Sequence, residues 1–213
     1  MLRIGILAST NATDMQAVIE AINSKKLNAV ISVVVSNKKD SYALQRAKNH
    51  NIKAAFIDIA DFSEIKDKEK QRESFDREVS KILDESKVEL ILLIGYMRVL
   101  SPWFVRKYKN RIMNIHPSLL PAFAGGMDMD VHAEVLKAGC RTTGCTLHFV
   151  DEGVDSGPII MQKEVRVAEG ETAGSLKEKV QKAEQETIVS AIDLYSKGKI
   201  KVEDNKVRID DDV

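Results

Sequence analysis

An amide, an imidazole and a carboxylate occur in this chain at places where all three can act on one carbonyl group. Asn114 and His116 stand two residues apart at the end of a short apolar run, so an extended backbone projects both to the same side. Asp155 lies in an acidic, glycine-bearing loop, 151–157, that reads Asp-Glu-Gly-Val-Asp-Ser-Gly. Such a set suits acyl chemistry in which a carbonyl oxygen becomes an oxyanion. The amide and an imidazolium stabilise it, while the carboxylate's charge keeps the histidine protonated. His116 by itself reads as a structural histidine, but Pro117 and Pro121 are expected to pin the chain in an extended path just after it. No nucleophile motif accompanies the trio, since Gly-x-Ser-x-Gly does not occur. Direct attack by a substrate amine fits better than an acyl-enzyme.

The other candidates for chemistry have blander readings. His50 sits in a charged helical stretch and is expected at the surface, His132 opens a helix close enough to line the site, and His148 alternates within a strand as a core or sheet-face residue. Tyr96 and Trp103 read as packing residues. Cys140 and Cys145 with His148 would give three metal ligands at an uncommon spacing inside a strand, so buried thiols and no metal are expected.

Elements that position these residues follow from the apolar pattern. Continuous runs at 2–8, 29–35 and 89–94 read as buried parallel strands, with a shorter strand at 53–57. Helical periods follow Asp14 and the Asp40-Ser41 pair, and a long charged helix is predicted over 69–85, after a charged connection at 58–71. Strand 111–115, helix 131–138, strands 142–150 and 158–167, helix 172–195 and a hairpin at 199–202 and 207–209 complete the chain. Strand and helix alternate, which predicts an α/β fold with a doubly wound, mostly parallel sheet.

Ligands of such sheets gather where strands end, which selects residues 9–14, 96–98, 114–118 and 151–157. The first of these, Ser-Thr-Asn-Ala-Thr-Asp, has no glycine, which excludes the dinucleotide fingerprint of a Rossmann dehydrogenase. Backbone N–H groups at the start of its helix still suit a phosphate, helped by the Thr13 hydroxyl. Asp14 would put a carboxylate beside that anion; its plainer role is to complement the helix's positive end.

With 213 residues, 44% apolar and 30% charged, the chain has the composition of a soluble globular protein with a large core. Thirty-two basic residues balance 32 acidic ones, so a polyanionic partner such as nucleic acid is not expected. Two cysteines fit a reducing compartment. The N-terminal apolar run is too short for a signal peptide and the longest one falls well short of the roughly 18 residues of a membrane helix, so a cytoplasmic location without membrane contact is expected.

Three segments carry a family resemblance: Gly-Tyr-Met-Arg-Val-Leu-Ser at 95–101, Asn-Ile-His-Pro-Ser-Leu-Leu-Pro at 114–121, and the stretch from Gly144 through Asp155-Ser156-Gly157 to Ile160. Together, and in this order, they resemble the folate-dependent phosphoribosylglycinamide formyltransferases, over residues 2 to about 196. The resemblance implies a single formyltransferase (Rossmann-like) domain over 1–213, with a nucleotide-binding half of roughly 1–110 and a folate and catalytic half of 111–213. It implies formyl transfer from 10-formyltetrahydrofolate to the amine of 5'-phosphoribosylglycinamide in purine biosynthesis, without metal, in a monomer or homodimer. Asn114 would bind the formyl oxygen, His116 would stabilise the oxyanion, and Asp155 would hold His116 and relay protons through water. Folate would lie against Met97, Arg98, Val99 and Leu100 and against Asp151, Glu152 and Asp155. Substrate contacts would come from Ala12, Thr13, Asp14, Ile115, Pro117 and Glu184.

Two segments depart from the family pattern. Where the family reads Ser-Gly-x-Gly-Ser-Asn-Leu-Gln, this chain has Thr10 and Ala12 for both glycines and Asp14 for the asparagine. Segment 124–130 is a few residues longer than usual and is expected to reshape the rim of the pocket. Other folate enzymes fit less well: a formyltetrahydrofolate hydrolase typically carries His-His-Ser-Phe where this chain has Asn-Ile-His-Pro-Ser, and a methionyl-tRNA formyltransferase needs a basic surface. A transferase acting on an amino sugar nucleotide remains an alternative, as does a folate- or nucleotide-binding protein without catalysis.

Overall fold

The apolar runs of the first half become strands because nearly every side chain in them is buried. β1 (Leu2–Leu7), β2 (Ala29–Ser36) and β4 (Leu90–Leu93) hold Ile4, Ile6, Val33, Val34, Ile91 and Leu92 at or near zero exposure. With the short β3 (Ala54–Phe56) they pair in parallel. The computed structural model describes residues 1–125 and 130–210, and the chain folds as two compact units, Met1–Met113 and Asn114–Val213. Strand order along the main sheet is β3-β2-β1-β4-β5-β6-β7, where β5 is Ile112–His116, β6 Thr142–Phe149 and β7 Ile159–Arg166. β6 and β7 pair antiparallel. The fold is thus the expected doubly wound, mostly parallel α/β sheet of Rossmann-like kind.

In the first unit, α1 (Asp14–Asn23) buries Met15, Val18 and Ile19, and α2 (Tyr42–Asn49) starts at Ser41. The Ser41 hydroxyl accepts from the Ala43 N–H and donates to the Thr10 carbonyl at 2.8 Å, which ties α2 to the loop after β1. Segment 58–71 is more than a charged connection. Asp58 caps a 3-10 turn at Ile59–Phe62, and Asp67 accepts from the N–H groups of Glu69 and Lys70 to start α3 (Lys68–Glu85). Those two carboxylates satisfy orphan helix donors, which is what turned a polar stretch into structure. A further helix, α4 (Pro102–Lys107), was not expected. Six residues are too few to show a period, and its only signals are the Ser101 cap and Pro102 at the first position.

In the second unit, α5 (Val131–Lys137) and α6 (Ala173–Ser196) cover β6. Val131, Val135, Cys145, Leu176, Val180 and Ala183 form that core, with Ile115 packed against it. A two-stranded hairpin, β8 (Ile200–Glu203) with β9 (Lys206–Ile209), follows. Its turn residues Asp204 and Asn205 both take left-handed backbone angles, φ 46° and 59°, which these two residue types tolerate. Among the described residues no helix is long and apolar enough to cross a membrane.

Candidate active site

β5 presents Asn114 and His116 on one side because strand side chains alternate, while Ile115 between them faces the α5 and α6 core. His116 is 6% exposed. Past it the chain does not run on extended, as the two prolines implied, but turns. Ala122 N–H donates to the Leu119 carbonyl and the Ser118 hydroxyl donates to the Ala122 carbonyl. This turn brings the Phe123 carbonyl to 3.0 Å from His116 Nε2. β6 fixes it from below: Thr146 Oγ1 donates to the Ser118 carbonyl at 2.7 Å and accepts from the Leu120 N–H at 2.9 Å. Gln162 on β7 donates to both Thr146 Oγ1 and the Leu120 carbonyl.

The acidic loop reaches the same place from the far end of β6. A Cβ on Gly157 would stand 1.8 Å from the Phe149 carbonyl oxygen, so only glycine lets the loop close against the strand. Asp151 Oδ1 accepts from the Gly153 N–H and the Ser156 hydroxyl, which stiffens the turn. Asp155 then takes φ 53°, a conformation that costs on the order of 1 kcal/mol for a non-glycine residue. Its Oδ2 lies 3.3 Å from His116 Nδ1 and accepts from the Gly125 N–H at 3.0 Å. Oδ1 lies 3.7 Å from His148 Nε2, and that same nitrogen is 3.2 Å from Asn114 Nδ2.

Asn114, His116 and Asp155 are therefore brought together, and His148 joins them. By its alternation alone His148 reads as a core or sheet-face residue. It is buried on β6, but Nδ1 faces the Phe149 carbonyl at 2.9 Å, so Nδ1 carries a proton and Nε2 is turned toward Asn114 and Asp155. The available signal was its spacing of two from Thr146 and its place three residues before Asp151, where the acidic loop starts.

Electrostatics in this cluster pull in two directions. Asp155 is held below the usual carboxylate range by its contact with His148, the Gly125 N–H and the charge of His116, against burial that pushes it up. His116 is pushed below the ordinary imidazole value by burial, with Asp155 and the Phe123 carbonyl opposing. Asp155 thus raises His116, the direction expected of its charge, but desolvation is the larger effect. Both imidazole nitrogens face oxygen acceptors, however, so either neutral tautomer leaves a lone pair against an oxygen, and only the cation satisfies both partners.

In the second unit, Ile115 and Pro117 are half-buried, Glu152 is exposed, and Glu184 is a buried acid on α6. In the first unit, Ala12 is buried at φ 44°, where the family has a glycine, and Asp14 is 7% exposed at the first position of α1. Thr13 precedes it without a side-chain capping bond. Met97 is 46% exposed, Arg98 and Val99 are half-buried and Leu100 is buried. Residues 126–129, most of the lengthened segment 124–130, lie outside the described residues. Cys145 is buried, which pushes its thiol up to about 11, and Cys140 is half-buried. His132 is buried at the start of α5. Among the described residues no group of three or more His, Cys, Asp or Glu could hold a metal ion.

An α/β sheet that sets an amide, a histidine and a carboxylate at one strand end has the parts of an acyl-transfer enzyme, and the family comparison agrees. A family model described as formyl transferase matches residues 2–192, and the chain belongs to this family. It is 32% identical over 209 residues to phosphoribosylglycinamide formyltransferase of Escherichia coli (strain K12), covering 98% of this chain and 94% of that one. It is 40% identical over 200 residues to trifunctional purine biosynthetic protein adenosine-3 of Gallus gallus, of whose length it spans 19%. Among solved structures, glycinamide ribonucleotide transformylase 1 from Symbiobacterium toebii superposes with a TM-score of 0.90 at 36% identity, covering 99% of this chain and 95% of that one.

Proposed function

We propose that this chain transfers a formyl group from 10-formyltetrahydrofolate to the amine of 5'-phosphoribosylglycinamide, a step of purine biosynthesis. The observation that carries the reading is the meeting of Asn114, His116 and Asp155, with His148, in a chain of the formyl transferase family. The folate supplies an activated formyl carbon. Asn114 donates its amide N–H to the formyl oxygen, and His116 as imidazolium stabilises that oxygen as it gains charge. A negative oxygen beside His116 adds to the pull of Asp155 and offsets the effect of burial, so the histidine is best protonated when the oxyanion exists. Asp155 holds the imidazole and accepts, through water, the proton that the attacking amine loses; that proton then goes to the departing folate nitrogen.

Met97, Arg98, Val99 and Leu100 would hold the pteridine, largely through their backbone, with Asp151, Glu152 and Asp155. Asp151 contributes through its backbone, since its carboxylate is engaged within its own loop. Ala12, Thr13, Asp14, Ile115, Pro117 and Glu184 would contact the ribonucleotide. The two halves would divide the work near residue 110, the first serving the nucleotide and the second the folate and the chemistry. We place the protein in the cytoplasm, as a monomer or homodimer acting on small molecules, without a nucleic-acid or membrane partner.

A second reading keeps the chemistry and changes the acceptor. Ala12 at φ 44° and the buried Asp14 crowd and repel a phosphate at that loop, which favours a different amine, such as an amino sugar nucleotide. An absorbance assay for the deformylated folate separates the readings. Turnover with 5'-phosphoribosylglycinamide and none with water alone is expected. Turnover in water alone points to a hydrolase, turnover only with another amine to the second reading, and none with any acceptor to a binding protein.

A further inference from the structure

Asp76 on α3 has no solvent exposure, yet it is a carboxylate. Oδ2 accepts from the Ser101 N–H at 2.6 Å, while Oδ1 has no hydrogen-bond partner among the described residues. Close by, the Tyr96 hydroxyl and Arg98 Nε are also buried, and the Tyr96 hydroxyl interacts with the Arg98 side chain. Burial raises the Asp76 carboxyl, and the Ser101 N–H and hydroxyl oppose this first, followed by the charges of Arg98 and Arg72; Tyr96 in turn feels the Asp76 charge. Beside Asp76 on the same helix, the Phe75 ring carries the Arg98 guanidinium 4.0 Å from its centroid. Segment 96–101 is thus gripped from α3 at two points, by a ring and by a carboxylate.

The grip has a counterpart at the segment's other end. The Met97 N–H donates to Ser9 Oγ at 2.9 Å, and Ser9 Oγ donates to Asn37 Oδ1 at 2.6 Å. Gly95 starts the segment at φ 60°, with its Cα backed against the Thr10 hydroxyl, so the approach to it is also fixed. Between these anchors the side chain of Met97 is exposed and the peptide groups of 97–100 are neither helix nor strand. A buried carboxylate is a costly way to satisfy the N–H and the hydroxyl of one serine, which a neutral acceptor would do as well. Its charge has a use only if it also holds the Arg98 cation on the Phe75 ring, because that fixes the peptide planes on either side of Arg98.

We propose that Asp76 is a positioning residue for the folate: from behind the 97–100 segment it sets the backbone donors and acceptors that recognise the pteridine. This rests on the reading that the segment holds the folate.

The experiment compares wild type, Asp76→Asn and Asp76→Ala for folate KM, acceptor KM and kcat, with amide hydrogen exchange over 96–101. Asp76→Ala removes both the Ser101 acceptor and the charge on Arg98, and is expected to raise folate KM about tenfold or more. Asp76→Asn keeps the acceptor and recovers part of that loss. Acceptor KM and kcat per folded molecule stay within about twofold, because a broken fold lowers the active fraction without changing KM. Exchange at 97–101 quickens in the alanine variant and less in the asparagine variant. An unchanged folate KM in Asp76→Ala overturns the proposal while leaving formyl transfer standing. If wild type shows no folate-dependent turnover, the formyl-transfer reading fails and the folate role with it. Unchanged amide exchange would then also remove the positioning of the segment.

Discussion

His116 Nδ1 lies 3.3 Å from Asp155 Oδ2, and its other ring nitrogen lies 3.0 Å from the Phe123 carbonyl. This arrangement favours the imidazolium that an oxyanion needs, yet burial sets its pKa below the ordinary 6.5. The step needs His116 protonated and the attacking amine neutral; with His116 below 6.5 and an α-amino group at about 8, kcat/KM is expected to be bell-shaped, its acid limb reporting His116 and its alkaline limb the amine. Asp155→Asn removes the charge that raises His116, so the acid limb moves to lower pH and the plateau falls. His116→Ala and Asp155→Ala are each expected to lower kcat by at least about a hundredfold. A pH profile of Asp155→Asn that superposes on wild type would sink the pairing.

His148 Nε2 lies 3.2 Å from the Asn114 amide nitrogen, from which it accepts, and 3.7 Å from Asp155 Oδ1. Replacing it by leucine leaves the Asn114 amide N–H without that acceptor. We expect His148→Leu to lower kcat by about tenfold or more with little change in either KM, the signature of a group that orients what acts in the transition state. Glutamine at this position can still accept from Asn114 and should lose less. Equal and unchanged rates in both variants would return His148 to the role of a strand residue.

Much of this was legible in the chain, for physical reasons that can be named. β1, β2 and β4 were visible because parallel strands are buried on both faces and leave continuous apolar runs, and the Asn114 and His116 pair because strand geometry forces a spacing of two. What escaped depends on contacts distant in sequence or on very short signals. α4 has six residues and only the Ser101 cap and Pro102 to announce it. The turn after His116 is set by Thr146 and Gln162, which lie 28 and 42 residues from the groups they hold. His148 alternates on its strand as a core residue would, and only the closure of the loop at Gly157 shows what it faces. The lowered His116 was missed because a charge partner can be read from sequence, whereas desolvation cannot.

The loop after β1 supports a prediction about the acceptor. Asp14 is buried at the first position of α1, where the helix's N–H groups would meet a phosphate, and Ala12 at φ 44° puts a Cβ on backbone that must approach it. If the phosphate binds there, the carboxylate opposes it by on the order of 1 kcal/mol at partly screened distance. Asp14→Asn should then lower KM for the phosphorylated acceptor roughly fivefold with kcat unchanged, an advantage that narrows as salt rises. Steady-state kinetics at two ionic strengths decide the matter. A KM that stays the same or increases places the phosphate elsewhere.

Acid should weaken the fold in two successive steps of the same sign. His116 and His132 are both pushed below 6.5 by burial, so the unfolded chain takes up their protons first, and stability present above about 6.5 is lost as pH falls. Asp155 is held below the ordinary carboxylate value of 3.8, so its contribution persists until pH falls through the unfolded value toward the lower, folded one. Asp76 works the other way, since burial raises it and the folded state there accepts a proton more readily than the unfolded chain. Urea unfolding at pH 7.5, 6 and 5 measures the first step, and it should be smaller in a His116→Gln, His132→Gln double variant than in wild type. If the double variant loses as much stability as wild type over that range, neither histidine is buried against its charge in the way the structure indicates.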